Sequence, residues 1–141
     1  MNIDHIIYAV PDLGAGVKAV QRLLGVRASF GGKHVGVGTH NALLSLGEGS
    51  YLEILAPDPE QGAVAGSLRT SLDFSRPRIA TWAANAPDIA MRAARAAAAR
   101  LPIGPVVRAS RDLPDGHTLR WSFTFPPPPE GDGVVPFLIN W

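Results

Sequence analysis

Cysteine is absent from this sequence, which excludes disulfides, thiolate metal ligands and cysteine nucleophiles together. Lysine is nearly absent. Only Lys18 and Lys33 occur, and the other basic residues are arginines scattered along the chain. With a formal net charge of +1 and no basic run, there is no concentrated face for a nucleic-acid backbone. No apolar run approaches the roughly 20 residues of a membrane-spanning helix, and no basic n-region precedes an apolar core at the start. These absences point to a cytoplasmic protein with neither a membrane nor a nucleic-acid partner. A GxSxG elbow, a phosphate loop and an HExxH helix are also missing. Gly36 and Gly38 lack the strand–glycine–helix order of a dinucleotide site.

What is present is one unit written twice. Ile3 to Val10 is rich in β-formers and alternates, with His5, Ile7 and Ala9 on one face and Ile6, Tyr8 and Val10 on the other. Pro11 ends that strand, Asp12 is an N-cap, and Leu13, Val17, Val20 and Leu24 recur at helical spacing up to a Gly25 C-cap. The same grammar returns from Ile79. Pro87-Asp88-Ile89 stands where Pro11-Asp12-Leu13 stood, and Thr81 stands where His5 stood. A second helix is expected from Asp88, as its cap, to Leu101.

The remaining strands follow the same plan. A short strand is expected near Arg27 to Phe30, then a hairpin of His40–Leu46 and Tyr51–Leu55 around the four-residue loop Gly47–Ser50. Later strands are expected near Val106–Ser110, His117–Phe125 and Val134–Trp141. A tight loop at Asp112–Gly116 and a stiff proline loop from Pro126 to Gly133 separate them. Thr39-His40-Asn41 is echoed by Gly116-His117-Thr118. The fold class is therefore α+β: two βαβββ units, 1–59 and 79–141, joined by a linker over 60–78 that carries a helical turn near Leu68–Leu72.

IDHIIYAVPDL at the start, GTHN before the third strand, YLEIL in the fourth and the closing PFLINW resemble the glyoxalase-like domain family. That family lies within the vicinal-oxygen-chelate superfamily, with glyoxalase I, extradiol dioxygenases and the bleomycin-resistance proteins. The resemblance implies two curved mixed sheets enclosing a cavity, helices outside, a small-molecule ligand, and a homodimer. It also implies that chains of this family often continue beyond the position of Trp141.

Metal-binding members of that superfamily take one ligand from the first strand and one from the fourth of each unit. Carried over, this gives His5 and Glu53 in the first unit, suited to a divalent metal such as Zn, Mn, Fe or Ni. His40 is a weaker third candidate. In the second unit Thr81 replaces the first ligand, and the only polar residue of the closing strand is Asn140. Half of the metal site is missing.

From the residues themselves, Glu53 in an apolar strand demands a compensating partner. Glu53 and His40 are the best catalytic candidates. Tyr51, Trp82, Trp121, Arg120 and Asn41 are the candidates for ligand binding. His34 and His117 carry little weight, the first in a glycine loop and the second beside a turn. Three functions remain open: metal-assisted lyase, isomerase or dioxygenase chemistry, metal-free binding of a small molecule like that of the bleomycin-resistance proteins, or a regulatory or assembly module that needs no cavity chemistry.

Overall fold

Asp12 starts the first helix as expected. Its carboxylate accepts from the backbone N–H of Ala15 at 2.7 Å, and α1 runs over Leu13–Leu24. Gly25 closes the helix in the left-handed region (φ 74°), its N–H bonded to the carbonyl of Gln21. In this computed structural model, which describes residues 2–64, 67–112, 116–125 and 133–141, the elements flanking α1 are the strands β1 (Ile3–Ala9), β2 (Ser29–His34), β3 (Thr39–Gly47) and β4 (Ser50–Pro57). After them come α2 (Leu68–Ser71), β5 (Arg78–Asn85), α3 (Ile89–Ala98), β6 (Val106–Asp112), β7 (Thr118–Thr124) and β8 (Phe137–Asn140).

The chain divides into two compact units, His5–Thr81 and Met1–Asp4 with Trp82–Trp141. In the first, the strand order is β2-β3-β4-β1, with β1 parallel to β4 and the other pairs antiparallel. In the second it is β6-β7-β8-β5, with β5 parallel to β8 and the other pairs antiparallel. The two topologies are the same, strand for strand. This is the α+β arrangement expected from the repeated sequence.

One face of the first sheet packs under α1. Val10, Ala42, Leu44, Ile54 and Ala56 form a core with Leu13 and Val20 of the helix. The opposite face carries His5 and Ile7 of β1, paired in register with Tyr51 and Glu53 of β4. In the second unit Ala84 and Leu138 lie under Ile89 and Ala93 of α3.

Three local expectations are corrected. β2 does not stop at Phe30; it continues through Gly31 and Gly32 to His34, with an irregularity at the glycines that keeps it paired to β3. The hairpin loop is tighter than four residues. Gly47 pairs with Ser50, and Glu48 and Gly49 both take positive φ (50° and 79°), the two-residue primed-turn geometry. Asp88 does not cap α3 with its side chain. It sits in the left-handed region (φ 59°), unlike the extended backbone of Asp12, and α3 ends at Ala98. The helical turn in the linker is present as α2. The loop expected at Asp112–Gly116 falls largely, and the proline loop from Pro126 almost wholly, outside the described residues.

The segment after β4 is fixed to the start of β3. Nη1 of Arg69, in α2, donates to the carbonyls of Gly38 (3.3 Å), Asp58 (3.1 Å) and Gln61. The buried Asp58 carboxylate accepts from Gln61 Nε2 at 2.7 Å and from the N–H of Glu60 at 3.0 Å, and its own N–H bonds the Gly38 carbonyl. These bonds, that from Gln61 foremost, hold the Asp58 carboxyl below its usual pKa of 3.8. A lowered native pKa contributes stability that is full above pH 3.8 and lost as pH falls through the native value. Asp58→Asn should therefore lose stability at neutral pH and show a flatter acid limb than wild type in urea denaturation repeated between pH 7 and 3.

Gly16 lies where α1 meets the sheet. A Cβ there would stand 2.8 Å from Val10 Cγ2 and 3.1 Å from Ile54 Cγ2, whereas one at Gly14 would only graze Asp12 Oδ1 at 3.4 Å. Replacing a helical glycine by alanine gains about 1 kcal/mol, and overpacking a core costs about 1–3 kcal/mol. Gly14→Ala should stabilise by up to about 1 kcal/mol, while Gly16→Ala should be a net loss, both read from urea midpoints.

Candidate functional site

Alternation along β4 sends Tyr51, Glu53 and Leu55 to the face opposite α1, and the register with β1 sets His5 across from Tyr51 and Ile7 across from Glu53. His5 is 3% exposed and Glu53 7%. His5 Nε2 lies 3.5 Å from Glu53 Oε2. The imidazole is stacked on the Tyr51 ring, with centroids 4.7 Å apart and planes at 19°. Tyr51 thus fixes the plane of His5, and the Glu53 carboxylate meets its edge.

The other carboxylate oxygen is also engaged. Asn41, on β3, donates through Nδ2 to Glu53 Oε1 at 2.6 Å, a short charge-assisted bond in a buried setting. The same Nδ2 lies 3.2 Å from His34 Nε2, and His34 Nδ1 lies 2.8 Å from the hydroxyl of Thr39. His34 Nε2 is 3.9 Å from Glu53 Oε1. One carboxylate therefore sits between two imidazoles, with an amide bridging to the second. Asn41 Oδ1 is buried without a hydrogen-bond partner among the described residues. Gly31 of β2 leaves room for it.

The structure brings together His5, Asn41, Glu53 and Tyr51 of the residues singled out from sequence. It adds His34, set aside as a loop residue. The signal was in the alternation: once β2 continues through GGKH, His34 pairs with Thr39 and joins the Asn41 face. His40 is not part of this group. It pairs with Ala56, whose side chain belongs to the α1 core, so strand alternation puts His40 on the far face from Glu53. His117 is exposed.

In the second unit Trp82 packs against the α3 core and donates Nε1 to the Val134 carbonyl at 3.0 Å. Arg120, Trp121 and Asn140 line an open cleft of about 490 Å³ over β6, β7 and β8, together with Arg108, Ser110, Ser122 and Trp141. The Trp121 and Trp141 rings meet at 5.6 Å, and Trp141 Nε1 donates to Asp4 at 3.0 Å. The cleft contains neither His5 nor Glu53. Among the described residues the cleft lining carries no carboxylate, whereas the buried pair has one.

The metal set implied by the family resemblance is testable against the second unit's register. Ala83 pairs with Phe137 as Ile7 pairs with Glu53, so Phe137, not Asn140, occupies the position equivalent to Glu53. Asn140, in register with Ser122, falls on the opposite face from Phe137. Thr81, equivalent to His5, is buried with its hydroxyl unpartnered among the described residues. No group of three or more His, Asp or Glu side chains among the described residues is arranged to hold a metal ion. His5 and Glu53 are two donors, and the positions that would supply the rest are Thr81 and Phe137. The residues present do not fit the four-ligand site.

The sequence matches the glyoxalase-like domain family over residues 3–141. This chain belongs to that family. Among solved structures it is similar to methylmalonyl-CoA epimerase from Mycobacterium tuberculosis, at 22% identity with a TM-score of 0.62, over 98% of this chain and 86% of that one. It is also similar to a variant of the Streptomyces coelicolor methylmalonyl-CoA epimerase in complex with 2-nitronate-propionyl-CoA, at 23% identity and TM-score 0.63, over 99% and 96%. A hypothetical protein from Staphylococcus aureus aligns at 17% identity and TM-score 0.74, over 99% of this chain but 58% of its own length. No curated protein matches the sequence. At these identities the glyoxalase-like fold is shared, and the side chains of the site have to be read for themselves.

Those side chains generate a prediction at Gly31. A Cβ there would collide with Asn41 Oδ1 and stand 3.0 Å from Leu43 Cγ. Gly31→Ala should cost about 1–3 kcal/mol by overpacking, and clearly less in an Asn41→Ala background. Equal losses in the two backgrounds, measured by urea denaturation, would show that the glycine is not there for Asn41.

Proposed function

We propose that this glyoxalase-like protein binds a small carbonyl compound and transfers a proton at the carbon beside the carbonyl, with Glu53 as the accepting base and His5 as its partner in proton transfer. The observation that carries this reading is the buried Glu53 carboxylate. One oxygen is held by the Asn41 amide and the other is turned toward His5. A base whose geometry is fixed in advance and kept out of bulk water serves abstraction of a weakly acidic C–H proton. Structural neighbours named as methylmalonyl-CoA epimerases support the class of chemistry. Epimerisation beside a thioester carbonyl is removal and return of such a proton, so acyl thioesters are the first substrates to try. The reaction as proposed runs on the two side chains, and no step is routed through a metal, because the donor set does not fit one.

A second reading has its own observation. The equivalent positions on β5 and β8 hold Thr81 and Phe137, neither of which is a base. A protein with a base at one of two equivalent positions can bind a ligand without turning it over. This is the metal-free sequestering function.

Incubation of acyl-CoA thioesters and small hydroxyketones with the protein in D₂O, followed by NMR, separates these readings. The proposal expects α-proton exchange with at least one of them, reduced by about a hundredfold or more in Glu53→Gln, in line with the about 10²–10⁴-fold contribution of a positioned base. Exchange undiminished in Glu53→Gln, or binding without exchange, would overturn it; the second outcome would establish sequestration.

A further inference from the structure

We propose that His34 and Asn41 form a positioning relay for Glu53, an inference that rests on the reading of Glu53 as the base. An amide nitrogen only donates, so the contact of Asn41 Nδ2 with Glu53 Oε1 uses one of its hydrogens, and the contact with His34 Nε2 uses the other. Nε2 must then accept. The neutral imidazole therefore carries its hydrogen on Nδ1 and donates it to Thr39 Oγ1 at 2.8 Å. Reversing the amide would set Asn41 Oδ1 against a carboxylate oxygen, two acceptors at hydrogen-bond distance. Only one arrangement satisfies an ionised Glu53, and it specifies the tautomer of His34, the orientation of Asn41 and the oxygen of Glu53 left on the His5 side.

The relay spans three strands. Thr39 and Asn41 come from β3, His34 from the end of β2 and Glu53 from β4. β2 and β3 are in register at His34 and Thr39, and the irregularity at Phe30/Gly32 is what brings Gly31 beneath Asn41. The amide is thereby clamped on three sides: His34, Glu53 and the bare Gly31 backbone. A carboxylate free to rotate would spend part of its time with neither oxygen properly aimed, and misplacement of a reacting group by about 1 Å can cost about a hundredfold in rate. Asn41 bonds Glu53, and His34 bonds Asn41. Their roles are positional.

Long-range ¹H–¹⁵N correlation of the imidazoles gives a readout independent of activity. The expected spectrum shows His34 as the Nδ1–H tautomer in wild type, and a shift toward mixed tautomers in Asn41→Leu. In the deuterium-exchange assay, Asn41→Leu and His34→Leu should lower kcat about tenfold or more with KM within about twofold. His34→Gln, whose side-chain carbonyl can accept from Asn41, should recover most of the loss. Circular dichroism melting of each variant identifies any that fails to fold, and His34→Gln then carries the test. An Nε2–H tautomer in wild type would overturn the relay whatever the activity. Unchanged kcat in His34→Leu with activity abolished in Glu53→Gln would overturn it while leaving the base assignment standing; a silent Glu53→Gln with the Nδ1–H tautomer intact would remove the base and keep the hydrogen-bond network.

Discussion

Glu53 sits in β4 directly before Ile54 and Leu55, both fully buried, and a carboxylate in such surroundings persists only if hydrogen-bond donors meet it. The donors that do so come from neighbouring strands and not from the loops. Asn41 is delivered by the antiparallel pairing of β3 with β4, and His5 by the parallel pairing of β1 with β4. The other features of the first unit follow from keeping those pairings in register. The tight Glu48-Gly49 turn sets β3 against β4. The Arg69 and Asp58 bonds hold the opposite end of β3, where Thr39 begins the strand. A one-residue slip of β3 would send Asn41 to the α1 face and strand the carboxylate.

The repeated topology makes the divergence of the second unit informative. β5 and β8 keep the parallel register of β1 and β4, and α3 covers its sheet as α1 does. Yet Phe137 stands where Glu53 stands and Thr81 where His5 stands. The backbone architecture is the same in the two copies, while the histidine–carboxylate pair stands in one of them. Membership of the glyoxalase-like family accordingly fixes the architecture without fixing what is done with it.

Much of the fold was legible before any coordinates. Strand alternation, the Pro-Asp corners and the Gly25 cap depend on neighbouring residues, and such signals survive in a single sequence. Alternation placed His5 and Glu53 each on a face with apolar neighbours, and only the resemblance to the family implied that the two belong together. What was not legible depended on register and on glycine. Nothing local announces that β2 runs on through two glycines, so His34 read as a loop residue. His40 read as a weaker third ligand because an imidazole could complete a two-histidine, one-carboxylate set, and residue type alone does not show which face of the strand it takes. Asp88 looked like Asp12, but a left-handed backbone at that position cannot be inferred from a Pro-Asp pair. The register of the closing strand against Glu53 was open by one or two residues until the Ala83–Phe137 pairing fixed it and set Asn140 apart.

The site depends on the bond between Asn41 and Glu53. A double-mutant cycle with Asn41→Leu and Glu53→Leu, measured by urea denaturation at neutral pH, tests it most directly. A buried hydrogen bond to an ionised carboxylate should give a coupling of about 1.5–3 kcal/mol. Additive losses, with a coupling under about 0.5 kcal/mol, would mean that the carboxylate is compensated by something else and that the site is not organised as described.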